Sequence, residues 1–117
     1  MGNHLVDLFR DTDYEIVITT RVNRKSSHNI KYITGNAKDD EFLNKILHER
    51  WDAIIDFMVY TTIEFKNRVS QLLDATSQYI FLSSSRVYAD SKERIKETSP
   101  RLLDVSTDQE FLSTDEY

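Results

Sequence analysis

The chain has 117 residues, of which 39% are hydrophobic and 30% are charged, and its formal net charge at pH 7 is −5. A chain of this size and composition is expected to form one small domain over residues 1–117 rather than a disordered chain, and the acidic balance argues against nucleic acid as a partner because phosphate binding depends on clustered positive charge. The absence of cysteine excludes disulfides and thiolate metal sites and favours a reducing cytoplasmic location, and no apolar run is long enough for a membrane-spanning helix.

The first half of the chain alternates helical and strand patterns. Apolar residues at helical spacing in NHLVDLFRD predict a helix, for which Asn3 is a candidate N-cap. The β-branched segment 14–21 (YEIVITTR) predicts a buried strand. The alternating segment 30–36 (IKYITGN) predicts a second strand that ends at Gly35. Segment 37–50 begins with acidic residues, ends with basic ones and has one apolar face, so it predicts a helix.

The second half continues the alternation. Segment 51–60 (WDAIIDFMVY) is almost continuously hydrophobic, which is typical of a strand covered on both faces. The pattern from 61 to 76 predicts a helix with Thr61 or Thr62 as its N-cap. Segment 78–85 (QYIFLSSS) predicts another buried strand.

The composition changes after these strands. Segment 86–111 is polar and contains the only proline, Pro100, so it predicts a long surface loop. A last helix is predicted near the end of the chain, capped by Thr107 or Asp108.

Short strands that alternate with helices predict an α/β fold with a parallel sheet. In such sheets ligands bind beyond the carboxyl ends of the strands. We therefore expect candidate site residues at the carboxyl ends of the four predicted strands, at positions 19–21, 35–36, 57–60 and 83–85.

The segment YIFLSSSRVYAD, followed by KETSP and STDEY, resembles the extended short-chain dehydrogenase/reductases, the NAD-dependent epimerase/dehydratase family. ITGNAKD resembles the turn after the third strand of that family, and WDAIIDFMVY resembles its fourth strand. The resemblance covers essentially the whole chain. It implies a doubly wound, Rossmann-like parallel sheet, an NAD(P)-dependent reaction on a nucleotide sugar or a similar small molecule, and a homo-oligomer.

The resemblance also implies catalytic roles for two residues. Ser84 corresponds to the serine that hydrogen-bonds the reacting hydroxyl or carbonyl, and Tyr117 corresponds to the catalytic tyrosine of the Tyr-x-x-x-Lys motif. Two simpler interpretations stay open. Serines are common where a strand runs into a loop, and a terminal tyrosine is often disordered.

The cofactor-binding residues implied by the resemblance lie in the first third of the chain. Gly2 corresponds to the last glycine of the phosphate loop, and Asn36, with Ala37 beside it, corresponds to the residue at the adenine ring. Arg21 stands where NAD-dependent members carry an acid for the ribose, and Arg24 and Lys25 lie close by. A guanidinium suits a 2′-phosphate, so NADP is expected before NAD. The three basic residues also fit an ordinary solvated loop.

Two further candidates lie near the end of the predicted strand 51–60. Phe57 and Met58 occupy a position where the family has small residues near the cofactor. They are expected either to belong to the core or to crowd the nicotinamide, and the sequence leaves both interpretations open. No metal site is expected, because the three histidines lie far apart without ligand spacing.

The chain departs from the family pattern at both ends. It begins inside the glycine-rich loop, so the family's first strand is missing, and it stops at Tyr117 before the motif's lysine. We therefore expect a partial Rossmann-like domain from a longer enzyme, with weak catalysis, because a tyrosine with a pKa near 10 needs a nearby cation to act as a base. The missing strand leaves two sheet edges unpaired, which favours self-association. The alternative is a non-catalytic NAD(P)-sensing or RNA-binding module on the same fold.

Overall fold

The computed structural model describes residues 2–83 and 87–113, and it confirms the prediction of an α/β fold. Short helices alternate with four strands, as the sequence predicts. In chain order the elements are α1 (Gly2–Phe9), β1 (Ile16–Thr20), β2 (Ile30–Thr34), α2 (Asp40–Leu47), β3 (Trp51–Asp56), α3 (Thr62–Asp74), β4 (Thr76–Phe81), α4 (Leu102–Val105) and α5 (Gln109–Leu112).

The four strands form two small parallel sheets. β1 pairs with β2 in a register that places Ile16 beside Ile30, and β3 pairs with β4 in a register that places Ile55 beside Ile80. Within the described residues no strand joins the two pairs. Parallel pairing is therefore confirmed, whereas one continuous doubly wound sheet stays a prediction.

One asparagine connects α1 to the β1–β2 sheet. The Asn29 side-chain amide donates to the carbonyl oxygens of Phe9 (2.8 Å) and Tyr14 (2.7 Å), and its Oδ1 accepts from the Asp11 backbone N–H (3.1 Å). The neighbouring Ile30 is 2% exposed and is the most deeply buried large side chain described. The prediction that Asn3 caps α1 is wrong, because the helix already includes Gly2 and Asn3 lies within its first turn.

In the turn between β2 and α2 the main chain of Gly35 lies close to the ring of Phe42. Asp39 is the N-cap of α2, and its carboxylate accepts from the Phe42 backbone N–H (2.9 Å). The Phe42 ring then lies against Gly35, where a Cβ atom would overlap it. Glycine is needed at this position because the ring occupies the space of a side chain.

The longest helix, α3, begins with a capping box. The Thr61 hydroxyl accepts from the Glu64 backbone N–H (3.2 Å), and Glu64 Oε2 accepts from the Thr61 backbone N–H (2.8 Å). Of the two predicted caps, Thr61 is therefore confirmed. The glutamate three residues after the threonine is what distinguishes Thr61 from Thr62 in the sequence.

Helix α3 covers one face of the β3–β4 sheet. Its Phe65 ring lies 5.2 Å from the Phe81 ring, which stacks on Tyr79 at 6.4 Å, and Leu72 is 3% exposed. On the other face the paired Ile55 and Ile80 are each 38% exposed. The predictions that β3 is covered on both faces and that β4 is buried are thus not met, since each strand has only one buried residue.

Residues 87–101, which follow β4, are mostly irregular, as predicted. Tyr88 and Arg101 form an isolated bridge, and Arg101 pairs with Asp104 at 2.8 Å. The four-residue helix α4 interrupts the predicted loop and was missed, because four residues are too few for a helical period. The last helix is capped by Asp108, one of the two caps predicted for it.

Candidate functional site

The carboxyl ends of β1 and β2 bring two predicted cofactor-binding residues to one edge. The Gly35 N–H donates to the Thr20 carbonyl oxygen at 2.8 Å, which holds the two strand ends together. Arg21 follows β1 directly and Asn36 follows Gly35, and both are exposed. No hydrogen bond or ion pair engages the Arg21 side chain among residues 2–83 and 87–113. Its guanidinium is therefore available to a ligand at this edge.

The other predicted cation, Arg24, has a protein partner. Its guanidinium carbon lies 5.9 Å from the centre of the Tyr32 ring, a cation–π arrangement. The two side chains line a shallow cavity of about 270 Å³ between the β1–β2 sheet and α1. Of the two arginines predicted to suit a 2′-phosphate, Arg21 is exposed, whereas Arg24 lies against the Tyr32 ring.

The turn that carries Asn36 and Ala37 is tied to α3. Asn36 Oδ1 accepts from the Lys38 backbone N–H at 3.1 Å, which shapes the turn, and Ala37 is half-buried. Lys38 Nζ then reaches Glu64 Oε1 at 3.1 Å, in the first turn of α3. The Lys38 ammonium and the Thr61 N–H both hold the pKa of Glu64 below its usual range, with the N–H the larger cause. This link connects the turn after β2 with the first turn of α3.

At the end of β3 lies a buried carboxylate that the sequence analysis missed. Asp56 is 6% exposed and accepts three hydrogen bonds, from the Met58 backbone N–H (2.8 Å), the Tyr60 hydroxyl (2.9 Å) and the Tyr79 hydroxyl (2.8 Å). Three donors offset the cost of burying a carboxylate. The one sequence feature that pointed to it was an aspartate inside the apolar run WDAIIDFMVY.

The Asp56 cluster fixes the two candidates that follow β3. The Met58 N–H is held by the carboxylate and the residue is half-buried, whereas the Phe57 side chain is 39% exposed. Of the two interpretations left open, membership of the core does not hold for Phe57. Both residues lie at the carboxyl end of β3, where a ligand of a parallel sheet is expected.

The tyrosines of this cluster are hydrogen-bond donors rather than bases. Burial, followed by the hydrogen bond to Asp56 and its negative charge, raises the pKa of Tyr60 to about 12, with Arg68 opposing the shift. The same causes raise the pKa of Tyr79, again with burial first. A general base needs a pKa close to the working pH. Neither phenol can therefore act as a base near neutrality.

A buried arginine lies under the cluster. Arg68 is 8% exposed, and its guanidinium carbon lies 5.2 Å from the centre of the Tyr60 ring. Its Nη2 reaches Asp40 Oδ1 at 3.2 Å, but the Asp40 side chain is 82% exposed, so this ion pair is weak. Arg68 Nε and Nη1 are buried and lack a hydrogen-bond partner among the described residues. The arginine thus provides positive charge beneath the carboxyl edge.

The remaining predicted residues separate into two groups. Ser84 and Tyr117, the predicted catalytic pair, lie outside the described residues. Gly2 is the first described residue of α1 and is exposed, and a Cβ atom there would meet nothing within 4 Å. No close approach therefore requires glycine at position 2.

Comparison of the chain with protein-family models, with curated proteins and with solved structures finds no match. Among residues 2–83 and 87–113, no three His, Asp or Glu side chains converge as a metal site. Over the same residues every helix is too short or too polar to cross a membrane. The resemblance drawn from sequence motifs therefore stays a hypothesis.

Proposed function

We propose that the chain is a partial Rossmann-like domain that binds a nicotinamide dinucleotide, from an enzyme of the epimerase/dehydratase type acting on a nucleotide sugar. One observation carries the proposal. Three of the strands, in chain order, are followed at their carboxyl ends by an exposed arginine (Arg21), a glycine turn with Asn36, and the fixed segment 56–58. This is the edge where parallel sheets bind nucleotides.

A doubly wound sheet would account for the separation of the two strand pairs. In the strand order 3-2-1-4-5 the first strand lies between the second and the fourth. If β1 and β3 hold those two positions, each lacks a neighbour on the facing side. Each of them pairs with only one described strand, which supports this arrangement.

The proposed cofactor lies across this edge. Arg21 would hold the 2′-phosphate of NADP, with NAD as second choice, and Asn36 and Ala37 would border the adenine ring. Phe57 and Met58 would border the nicotinamide. The buried Arg68 adds positive potential beneath the edge. This local potential favours the binding of anionic ligands although the net charge of the chain is −5.

The chemistry rests on residues assigned by resemblance alone. Ser84 would orient the substrate hydroxyl or carbonyl, and Tyr117 would exchange its proton, while the cofactor supplies hydride transfer. Tyr60 and Tyr79 cannot replace Tyr117, since the pKa of each phenol is raised. Slow or no turnover is therefore expected of this chain by itself.

The test is a fluorescence titration of NADPH and NADH with the chain and two single variants. Arg21→Ala removes the proposed phosphate ligand, and Lys45→Ala removes one exposed positive charge from the last turn of α2. We expect Arg21→Ala to weaken NADPH binding about tenfold or more, the size of a charge-assisted hydrogen bond, and to leave NADH unchanged. Lys45→Ala should change neither. If wild type at millimolar concentration binds neither dinucleotide, the proposal fails.

The rival proposal is a non-catalytic module on the same fold. Tyr60 and Tyr79 stay protonated near neutral pH, so neither can act as a general base, which is consistent with binding without turnover. NADPH binding with no oxidation or reduction of any nucleotide sugar would indicate a sensor. Binding of RNA that NADPH does not displace would indicate an RNA-binding module.

A further inference from the structure

We propose that the buried Arg68 is a positioning residue that couples the two ends of the proposed cofactor site. One end is the turn after β2, which holds Asn36, and the other is the segment after β3, which holds Met58. The part of these ends in binding rests on the proposed function, whereas the coupling between them is a property of the free chain. Arg68 belongs to α3 and contacts residues that shape each end.

On one side Arg68 holds the turn after β2. Its Nη2 lies 3.5 Å from the Lys38 carbonyl oxygen and 3.2 Å from Asp40 Oδ1. The Lys38 backbone N–H donates in turn to Asn36 Oδ1 at 3.1 Å. The guanidinium therefore contacts the main chain of the residue that fixes the Asn36 side chain.

On the other side Arg68 lies against the ring that donates to the buried carboxylate. Its guanidinium carbon is 5.2 Å from the centre of the Tyr60 ring. The Tyr60 hydroxyl donates to Asp56 Oδ2 at 2.9 Å, and Asp56 Oδ1 accepts from the Met58 backbone N–H at 2.8 Å. Contiguous packed side chains and hydrogen bonds of this kind can carry coupling between two sites. We call the residues in this series of contacts the coupling path: Asn36, Lys38, Arg68, Tyr60, Asp56 and Met58.

Stability alone does not account for an arginine at this position. Arg68 is 8% exposed, and its Nε and Nη1 are buried without a hydrogen-bond partner among the described residues. Burying unmatched N–H groups of a cation is costly, and an apolar side chain of similar volume is often at least as stable. The Asp40 side chain that Arg68 reaches is 82% exposed, so their ion pair contributes little. Local costs of this kind are expected mainly at functional sites.

A second link between the same turn and α3 provides a matched control. Lys38 Nζ pairs with Glu64 Oε1 at 3.1 Å, and Glu64 Oε2 accepts from the Thr61 backbone N–H at 2.8 Å. This link ends at the N-cap of α3 and does not include Asp56. Glu64→Gln removes the charge that pairs with Lys38 and keeps an acceptor for the capping box, so it breaks this link and leaves the coupling path intact.

The first test compares stability and binding in two variants of Arg68. Arg68→Met removes the charge, whereas Arg68→Lys keeps the charge and removes the planar fork. We expect both to weaken NADPH binding about fivefold or more, while the midpoint of urea unfolding of Arg68→Met is equal to or higher than that of wild type. A lower midpoint for Arg68→Met with unchanged affinity would overturn the proposal. Wild-type affinity in Arg68→Lys would also do so, because charge alone would then suffice.

The second test needs no ligand, so it decides on the coupling even if the chain binds no dinucleotide. Asn36→Ala changes the turn after β2, and the amide resonance of Met58 reports on the other end of the coupling path. We expect Asn36→Ala to shift this resonance in an otherwise wild-type chain, and to shift it by less than about half as much when combined with Arg68→Met. Combined with Glu64→Gln, the shift should keep its full size. No shift at Met58 in the otherwise wild-type chain, or an equal shift in the Arg68→Met chain, would overturn the proposal.

Discussion

The two strand pairs of this chain differ in how they are held. The β3–α3–β4 unit has a 13-residue helix with a capping box, an aromatic stack and a buried carboxylate with three donors. The α1–β1–β2 unit has an eight-residue helix without a buried residue, connected through the side chain of Asn29. The difference teaches that side-chain packing holds α3 on its sheet, whereas hydrogen bonds from Asn29 to the main chain connect α1 to its sheet.

The two parts of the proposed cofactor site differ in the same way, in how firmly their residues are held. The residues after β3 are fixed, since Asp56 holds the Met58 N–H. Arg21, after β1, is exposed and belongs to the less buried unit. Regions with few buried contacts open more easily, and ligand-binding segments are often drawn from them. We therefore expect binding at Arg21 to order the β1–β2 unit more than the β3–β4 unit.

Removal of the buried carboxylate should have the largest effect. Asp56→Ala leaves three donors without their acceptor, and we expect it to lower the free energy of unfolding by about 4 kcal/mol. Asp52→Ala, at an exposed aspartate of the same strand, should change it by less than about 0.5 kcal/mol. Urea unfolding followed through the single tryptophan, Trp51 at the start of β3, measures both. Similar losses for the two variants would contradict the role given to the cluster.

Truncation of the α3 core should have the next largest effect. Leu72 is 3% exposed under the helix, whereas the adjacent Leu73 is 52% exposed. Leu72→Ala is expected to lower the free energy of unfolding by about 3 kcal/mol, because it leaves a cavity. Leu73→Ala should lower it by about 0.5 kcal/mol. If thermal and urea unfolding rank the two variants in the opposite order, α3 does not pack as described.

A smaller and local effect is expected in the other unit. Asn29→Ala removes the hydrogen bonds that the side-chain amide donates to Phe9, Thr12 and Tyr14 and the one that its Oδ1 accepts, and about 2 kcal/mol of local stability should be lost. Amide hydrogen exchange should become faster in α1 and β1 and stay unchanged in α3. Asn67→Ala, at an exposed asparagine of α3, is the matched control and should alter neither region. Faster exchange throughout the chain would mean that the two units unfold together.

The smallest expected effect is the dependence of stability on alkaline pH that arises from Tyr60. The pKa of its phenol is raised from 10.0 to about 12 in the folded chain, so the protonated form is favoured by folding. Its stabilising contribution is complete below about pH 10 and is lost as the pH rises through about 12. The free energy of unfolding of the wild type, measured between pH 8 and 12, should fall as the pH rises. In Tyr60→Phe this fall should be smaller. Tyr14→Phe, whose ring is at the protein surface, should retain it in full.

Local patterns predicted most of the elements. The four strands, four of the five described helices and the caps at Thr61 and Asp108 follow from periodicity and from capping residues close in sequence. Asn3 was assigned wrongly because several polar residues can begin a helix and the choice depends on where the main chain turns. The exposure of Ile55 and Ile80 was not predicted, because an apolar run does not reveal how many layers cover a sheet.

The candidate site was predicted only in part. The structure places Arg21, Asn36 and Met58 shortly after β1, β2 and β3, as the sequence predicts, whereas their part in ligand binding stays a prediction. The Asp56 cluster was missed because one of its donors, Tyr79, lies 23 residues away in the chain and becomes a neighbour only when β3 and β4 pair. Sequence proximity alone cannot identify partners brought together by strand pairing.

The central claim is that a nicotinamide dinucleotide binds across the carboxyl ends of β1, β2 and β3. Its most direct test is an amide-resolved NMR titration of the isotope-labelled chain with NADPH. The proposal predicts saturable shifts at Arg21, Asn36 and Met58, and small ones at Ile16 and Trp51, which begin β1 and β3 at the opposite edge. No shift at millimolar NADPH, or shifts confined to that opposite edge, would contradict it.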